Sequence, residues 1–233
     1  MLVKITSHCT MGCTHCMEDA GPGGEHMTLE TFERVIDFID RNEFLFAMLT
    51  GGEPTDHPQF VDFVHLAKRK LKVLVMSNGL FWSDPIRRQQ YMDLGIDFQI
   101  INDPRYYPQR VEPIKHPRVL YDDKLIAPIT PLGRAKDMES GRKAPLCFNL
   151  RSAVRSFRDF RNAVMFMRQN AKMCTPSILT DGSIVAGESR FCYKIGTVEN
   201  SNLELTNNLA QMKCNQCGLA DNLSTELRTV IGE

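Results

Sequence analysis

Between Leu2 and Ile101, short β-branched or aliphatic runs alternate with helical patterns, and that rhythm leaves few folds open. Leu2–Thr6 reads as a strand, and Thr28 as the N-cap of a helix whose apolar positions Leu29, Phe32, Val35, Ile36 and Ile39 keep helical spacing. Residues 44–50 form a nearly continuous apolar run, as expected of a strand covered on both faces. A second helix follows, with Phe60, Phe63, Val64 and Ala67 on one side. A strand over 73–77, a helix opened by Asp84-Pro85 and ending near Gly95, and a strand over 96–101 complete the series. Repeated βα units predict an α/β fold on a parallel sheet or partial barrel.

Beyond Asn102 the pattern thins. Residues 119–121 and 125–130 read as two more strands, but the segment joining them is too short for a parallel crossover, so the barrel is expected to end irregularly. Residues 134–145 read as a loop, 152–169 as a basic helix, and 176–197 as a β-hairpin turning at Asp181-Gly182. A domain boundary near residue 134 divides the chain into 1–133 and 134–233.

A chain of 233 residues is long enough for one sizeable core, or for a main domain with a small appendage. No apolar run is long enough for a membrane span, and the opening residues lack a secretory pattern. Eight cysteines without such a signal argue for thiols kept reduced, hence for a cytoplasmic protein. The charge balances at 28 basic and 28 acidic residues, yet residues 134–172 hold ten Lys or Arg against three Asp or Glu. That segment is either a solvated helix face or an anion-binding surface.

Three cysteines fall together in HCTMGCTHC, as Cys9-x3-Cys13-x2-Cys16, directly after the first strand. Thiolates on such a loop can point at one centre, and three ligands leave one coordination position open. A structural zinc site needs a fourth ligand, which His8 or His15 could supply. An iron-sulfur cube on three cysteines instead keeps one iron for an exogenous ligand.

Taken with Thr50-Gly51-Gly52-Glu53-Pro54 after the second strand, this loop resembles the radical S-adenosylmethionine (radical SAM) superfamily. The resemblance implies a partial (β/α)6 TIM-like barrel and a 4Fe-4S cluster on Cys9, Cys13 and Cys16. It also implies that the amino and carboxylate groups of S-adenosylmethionine chelate the remaining iron. One-electron cleavage then gives a 5′-deoxyadenosyl radical that takes a hydrogen atom from substrate, a chemistry confined to anaerobic conditions. Gly51 and Gly52 let backbone carbonyls approach the methionyl ammonium without a Cβ in the way, and Glu53 complements its charge. Ser77-Asn78 and Asn102-Asp103, at the ends of the third and fourth strands, correspond to polar positions that contact the cofactor's ribose and carboxylate. His15 stands where the family more often has an aromatic residue against adenine.

A second set comprises Cys174, Cys192, Cys214 and Cys217, the last two in a C-x2-C spacing. With Pro131-Leu132-Gly133-Arg134-Ala135 and Asp181-Gly182-Ser183-Ile184, it resembles the SPASM and twitch extensions that bind auxiliary 4Fe-4S clusters, the shorter twitch type being the better match. Cys147 is an alternative to Cys174, and zinc is the rival metal. The usual cysteine after the hairpin glycine is absent, and Gly187 lies in its place.

The resemblance implies a peptide or protein side chain as substrate and a low-potential electron donor such as flavodoxin or ferredoxin. Arg151, Arg155 and Arg158 at helical spacing, followed by Arg161 and Arg168, give the alternative of a nucleotide or nucleic-acid substrate. A glycyl-radical-enzyme activase and a non-catalytic metal-binding protein are the remaining alternatives.

Overall fold

A computed structural model describes residues 1–125, 129–138, 157, 159–171 and 174–212. One eight-stranded sheet organises them. Strands β1 (Leu2–Thr6), β2 (Phe46–Gly51), β3 (Lys72–Ser77), β4 (Asp97–Ile101) and β5 (Val119–Asp122) are successive parallel neighbours. The sixth parallel strand, β6 (Ser177–Ile178), lies beside β1, and β7 (Ser183–Val185) and β8 (Lys194–Thr197) follow antiparallel. The described strands after 134 therefore extend the same sheet beside β1.

Helices α1 (Leu29–Arg41), α2 (Phe60–Lys68) and α3 (Pro85–Asp93) make the first three crossovers. The Thr28 side chain caps α1 by accepting from the Thr31 N–H, and α1 buries Phe32, Val35, Ile36 and Ile39 as the spacing predicts. Phe32 stacks on Phe63 of α2, with ring centroids 4.1 Å apart. Asp84 caps α3 and Pro85 takes its first position.

Among the described residues, helices cover the second strand on one face rather than the expected two, and this bears on function. The described helices lie on that one face of the strands. Val3, Ile5, Ala47, Leu49, Val73, Val75, Phe98 and Ile100 are buried beneath them. Alternate residues Leu2, Phe46, Met48, Leu74, Met76, Gln99 and Ile101 are only half-buried and point to the opposite face, because neighbours along a strand face opposite ways. That open face carries the cavities described below.

The connection from β4 to β5 contains no helix. It is braced by Asn102, whose amide donates to the Gln109 carbonyl at 3.1 Å and whose oxygen accepts from the Val111 N–H at 3.1 Å. The strand expected over 125–130 is not formed by its described residues: the Leu125 N–H is turned onto the Asp103 carboxylate, and Ile129 and Thr130 are irregular. The basic helix is realised as α4 (Phe160–Ala171), where the Asp159 carboxylate accepts from the Arg161 N–H at 2.7 Å. Arg151, Arg155 and Arg158 lie outside the described residues. The hairpin forms between β6 and β7, turning at Asp181-Gly182 where Gly182 has φ +82°, and β8 makes it a three-stranded meander. Helix α5 (Asn202–Gln211) closes the described chain with a capping box from Ser201 and Glu204.

Candidate active site

The loop from Ser7 to Ala20 leaves β1 at its C-terminal end and is held from several sides. The Cys9 N–H donates to the Gly21 carbonyl at 3.0 Å, the Thr14 N–H to the Tyr106 carbonyl at 3.2 Å, and the Glu53 N–H to the His8 carbonyl at 2.8 Å. Gly51 and Gly52 let the ends of β1 and β2 meet. A Cβ on Gly51 would stand 2.1 Å from the Thr6 oxygen, and one on Gly52 would stand 2.1 Å from the His8 oxygen. Close backbone packing thus accounts for both glycines, in addition to any room they give a ligand.

Cys9, Cys13 and Cys16 share a cavity of about 210 Å³ with His15, Gly51, Gly52, Ser77 and Asn78. Glu53, Asn102 and Asp103 do not line it. Burial and then the neighbouring thiols push the Cys13 thiol up to about 12, while Arg134 opposes the shift. Burial also raises Cys9, with the Met11 N–H opposing. With Cys9 and Cys13 resisting ionisation, the anionic form of this donor set needs positive charge brought into the cavity.

Glu53 lies behind this wall as a buried bracket. Its Oε1 accepts from the Thr55 N–H at 3.1 Å, the Thr55 hydroxyl at 2.7 Å and the Ser77 hydroxyl at 2.8 Å. Its Oε2 accepts from the Asn78 N–H at 2.7 Å and keeps room for one further donor. Burial raises the Glu53 carboxyl, and these donors oppose it. Asn78 and Ser77 are thereby set by the β2 end, and the Asn78 amide nitrogen is buried without a partner among the described residues.

Asn102 and Asp103 are occupied otherwise. Asp103 accepts from the Arg105 guanidinium at 3.0 Å and from the Leu125 N–H at 2.8 Å, and the Arg105 contacts hold its carboxyl well below the usual range. His15 packs against Tyr106 and Tyr107, with centroids at 4.9 and 5.0 Å, and burial lowers its imidazole to about 4. Both tyrosines escaped the sequence reading, although a Tyr-Tyr pair just past a strand end was a visible signal.

Arg134 is the other residue whose role the sequence reading missed. Its guanidinium donates to the Cys13 carbonyl at 3.0 Å, the Ala20 carbonyl at 2.7 Å and the Asp19 carboxylate at 3.0 Å. Its backbone N–H reaches the Cys16 carbonyl at 3.0 Å. A further tie runs through a buried Lys4–Glu18 ion pair, and the Ser189 hydroxyl donates to the Met17 carbonyl at 2.7 Å.

Cys192 lies just beyond that contact, and its N–H donates to the Ser189 carbonyl at 2.9 Å. Cys174 is half-buried against the main core. Cys147, Cys214 and Cys217 lie outside the described residues.

A model of the Radical SAM superfamily matches residues 3–118. The chain belongs to that superfamily, whose enzymes hold a 4Fe-4S cluster and S-adenosylmethionine. It is similar to the tungsten-containing aldehyde ferredoxin oxidoreductase cofactor-modifying protein of Pyrococcus furiosus, 29% identical over 42% of this chain and 28% of that protein. It is also similar to the antilisterial bacteriocin subtilosin biosynthesis protein AlbA of Bacillus subtilis, 31% identical over 33% of this chain and 17% of that protein. The matches thus span under a third of either relative. Among solved structures, BtrN in complex with AdoMet and 2-DOIA shares the fold, with a TM-score of 0.54 and 12% identity over 94% of this chain and 84% of that one. No helix among the described residues is long and apolar enough to cross a membrane.

The residues fit the implied groups. Cys9, Cys13 and Cys16 line one cavity, and a cube spreads three thiolates over several irons. The spare acceptor capacity of buried Glu53 suits an ammonium, and the Asn78 amide, without a partner among the described residues, suits an oxygen of the same ligand.

Proposed function

We propose that this chain is a radical SAM enzyme that modifies a peptide or protein side chain. The observation that carries the reading is the single cavity in which Cys9, Cys13 and Cys16 face the β2 and β3 ends, with Glu53 and the Asn78 amide arranged behind and beside them. Cys9, Cys13 and Cys16 would hold the 4Fe-4S cluster. Gly51, Gly52, Glu53, Ser77 and Asn78 would hold S-adenosylmethionine, with His15 near its adenine and Asn102 and Asp103 keeping the β4 end in place. When bound there, these groups supply one-electron cleavage of the sulfonium and a 5′-deoxyadenosyl radical that abstracts a hydrogen atom from substrate. The protein's own part is to exclude water with Met11, Ala20 and Tyr107 around the thiols and to fix the loop through Arg134.

Residues 1–133 would be the radical core. Residues 134–233 would carry a twitch-like auxiliary 4Fe-4S cluster on Cys174, Cys192, Cys214 and Cys217, and a flavodoxin or ferredoxin would supply the electron. The bacteriocin-biosynthesis relative supports a peptide over a nucleic acid. After anaerobic reconstitution with iron and sulfide, dithionite and S-adenosylmethionine are expected to yield 5′-deoxyadenosine with the wild type and none with Cys13→Ala. Absence of product from a wild type that holds its cluster would refute the radical reading.

A further inference from the structure

We propose that Arg161 and Arg168 bind a carboxylate of the peptide substrate, at the far end of a cleft from the cysteine loop. The inference rests on the peptide reading above and names how that peptide is held. A second cavity of about 290 Å³ lies on the open face of the sheet and shares Leu2, Met76, Gln99 and Glu188 with the first. The two therefore meet along one face. The strand register orders them: Phe46 pairs with Lys72 at the N-terminal edge, Leu2 with Met48 one level up, and Thr6 with Gly51 at the cysteine loop. The cleft thus runs along the strands from Phe46 to Gly51, five steps or roughly 16 Å at about 3.3 Å per residue.

The two ends differ in chemistry. Arg161 and Arg168 are seven positions apart on α4, so they project from one side of it. Phe160, Ala163, Val164 and Met167 of the same helix are buried, which fixes α4 against the core. The Arg168 guanidinium lies over the Phe46 ring at 5.1 Å, which places it at the cavity wall. Neither arginine is in an ion pair with a carboxylate among the described residues. Two guanidiniums beside a mostly apolar wall match a carboxylate by bidentate hydrogen bonding.

The wall decides between peptide and nucleic acid. Phe46, Met48, Val164 and Met165 line the second cavity beside the arginines. Such a surface accepts side chains. A phosphodiester chain would need cationic groups along its length, whereas among the described residues Lys4 and Arg134 at the other end are already paired with Glu18 and Asp19. The spacing adds a requirement: in an extended peptide the carboxylate would lie roughly five residues from the residue that reacts.

The test uses the cluster-loaded full chain with S-adenosylmethionine and, as probes, an N-acetylated hexapeptide of Leu, Met and Ala with a free C-terminal carboxylate, its C-terminal amide, and hexathymidylate. Calorimetry is expected to show the carboxylate bound at least about tenfold tighter than the amide, a difference of about 1.4 kcal/mol. The double variant Arg161→Gln, Arg168→Gln should lose that discrimination while keeping the amide affinity and the thermal midpoint. The Cys13→Ala variant should keep it, since the anchor lies away from the cluster. Equal or absent binding of acid and amide to the wild type overturns the proposal. Tighter binding of hexathymidylate with the same arginine dependence overturns it in favour of phosphate. If discrimination holds while no 5′-deoxyadenosine forms, the anchor stands and the radical reading falls.

Discussion

Glu53→Ala is expected to destabilise the chain by about 3–5 kcal/mol, because it strands several buried donors at once, each worth about 1–3 kcal/mol when left unpaired. The Thr55 and Asn78 N–H groups cannot turn away, although the Thr55 and Ser77 hydroxyls can rotate toward other acceptors. Glu53→Gln separates this architectural role from charge. The glutamine keeps one acceptor for Thr55 and Ser77 and relieves the cost of a buried carboxylate, but it turns an amide N–H₂ toward the Asn78 N–H. Urea denaturation of the cluster-free protein should therefore place Gln between wild type and Ala. Binding of S-adenosylmethionine to the cluster-loaded Gln variant should weaken about tenfold or more, as expected from removing one charge of a hydrogen-bonded buried pair. A Glu53→Ala protein within about 1 kcal/mol of wild type would show that the β2 and β3 ends are held by other contacts.

The helices facing the core were legible because their signals are local. Thr28 three residues before Thr31, Asp84 before Pro85, and the Phe60–Phe63–Val64–Ala67 spacing each act within a turn or two of chain. The cysteine triplet and the Gly-Gly-Glu motif were legible for the same reason. What escaped notice depends on contacts between distant residues. Phe46 and Met48 are as apolar as Ala47 and Leu49, so nothing in the sequence of β2 told which face a helix would cover. The hairpin at Asp181-Gly182 announced its turn but not that β6 would pair with β1. Asn102 and Asp103, expected from the resemblance to contact the cofactor, spend their hydrogen bonds bracing a connection that has no helix to brace it. That connection also brings Tyr106 and Tyr107 to His15. Their place beside the cysteine loop follows from the path of the chain between β4 and β5.

The Gly133-Arg134 pair allows a sharper test of how the cysteine loop is held. Gly133 has φ +57°, and a Cβ there would lie 2.8 Å from the Cys16 and Met17 oxygens, so Gly133→Ala must displace the backbone that carries Cys16. Arg134→Met removes the donors to Cys13, Asp19 and Ala20 without adding bulk. Its ion pair with Asp19 is partly exposed and contributes little to folding. Arg134→Met should therefore move the urea midpoint of the cluster-free chain only slightly. The variant should hold iron about 10–100-fold less tightly against a chelator, the usual cost of losing a group that orients metal ligands. Arg134→Lys should restore little, since one ammonium cannot span carbonyls on both sides of the loop. If Arg134 merely supported the fold, stability would fall and iron retention would not. The opposite pattern would make Arg134 part of what holds the proposed cluster loop, through the backbone of Cys13 and of Ala20.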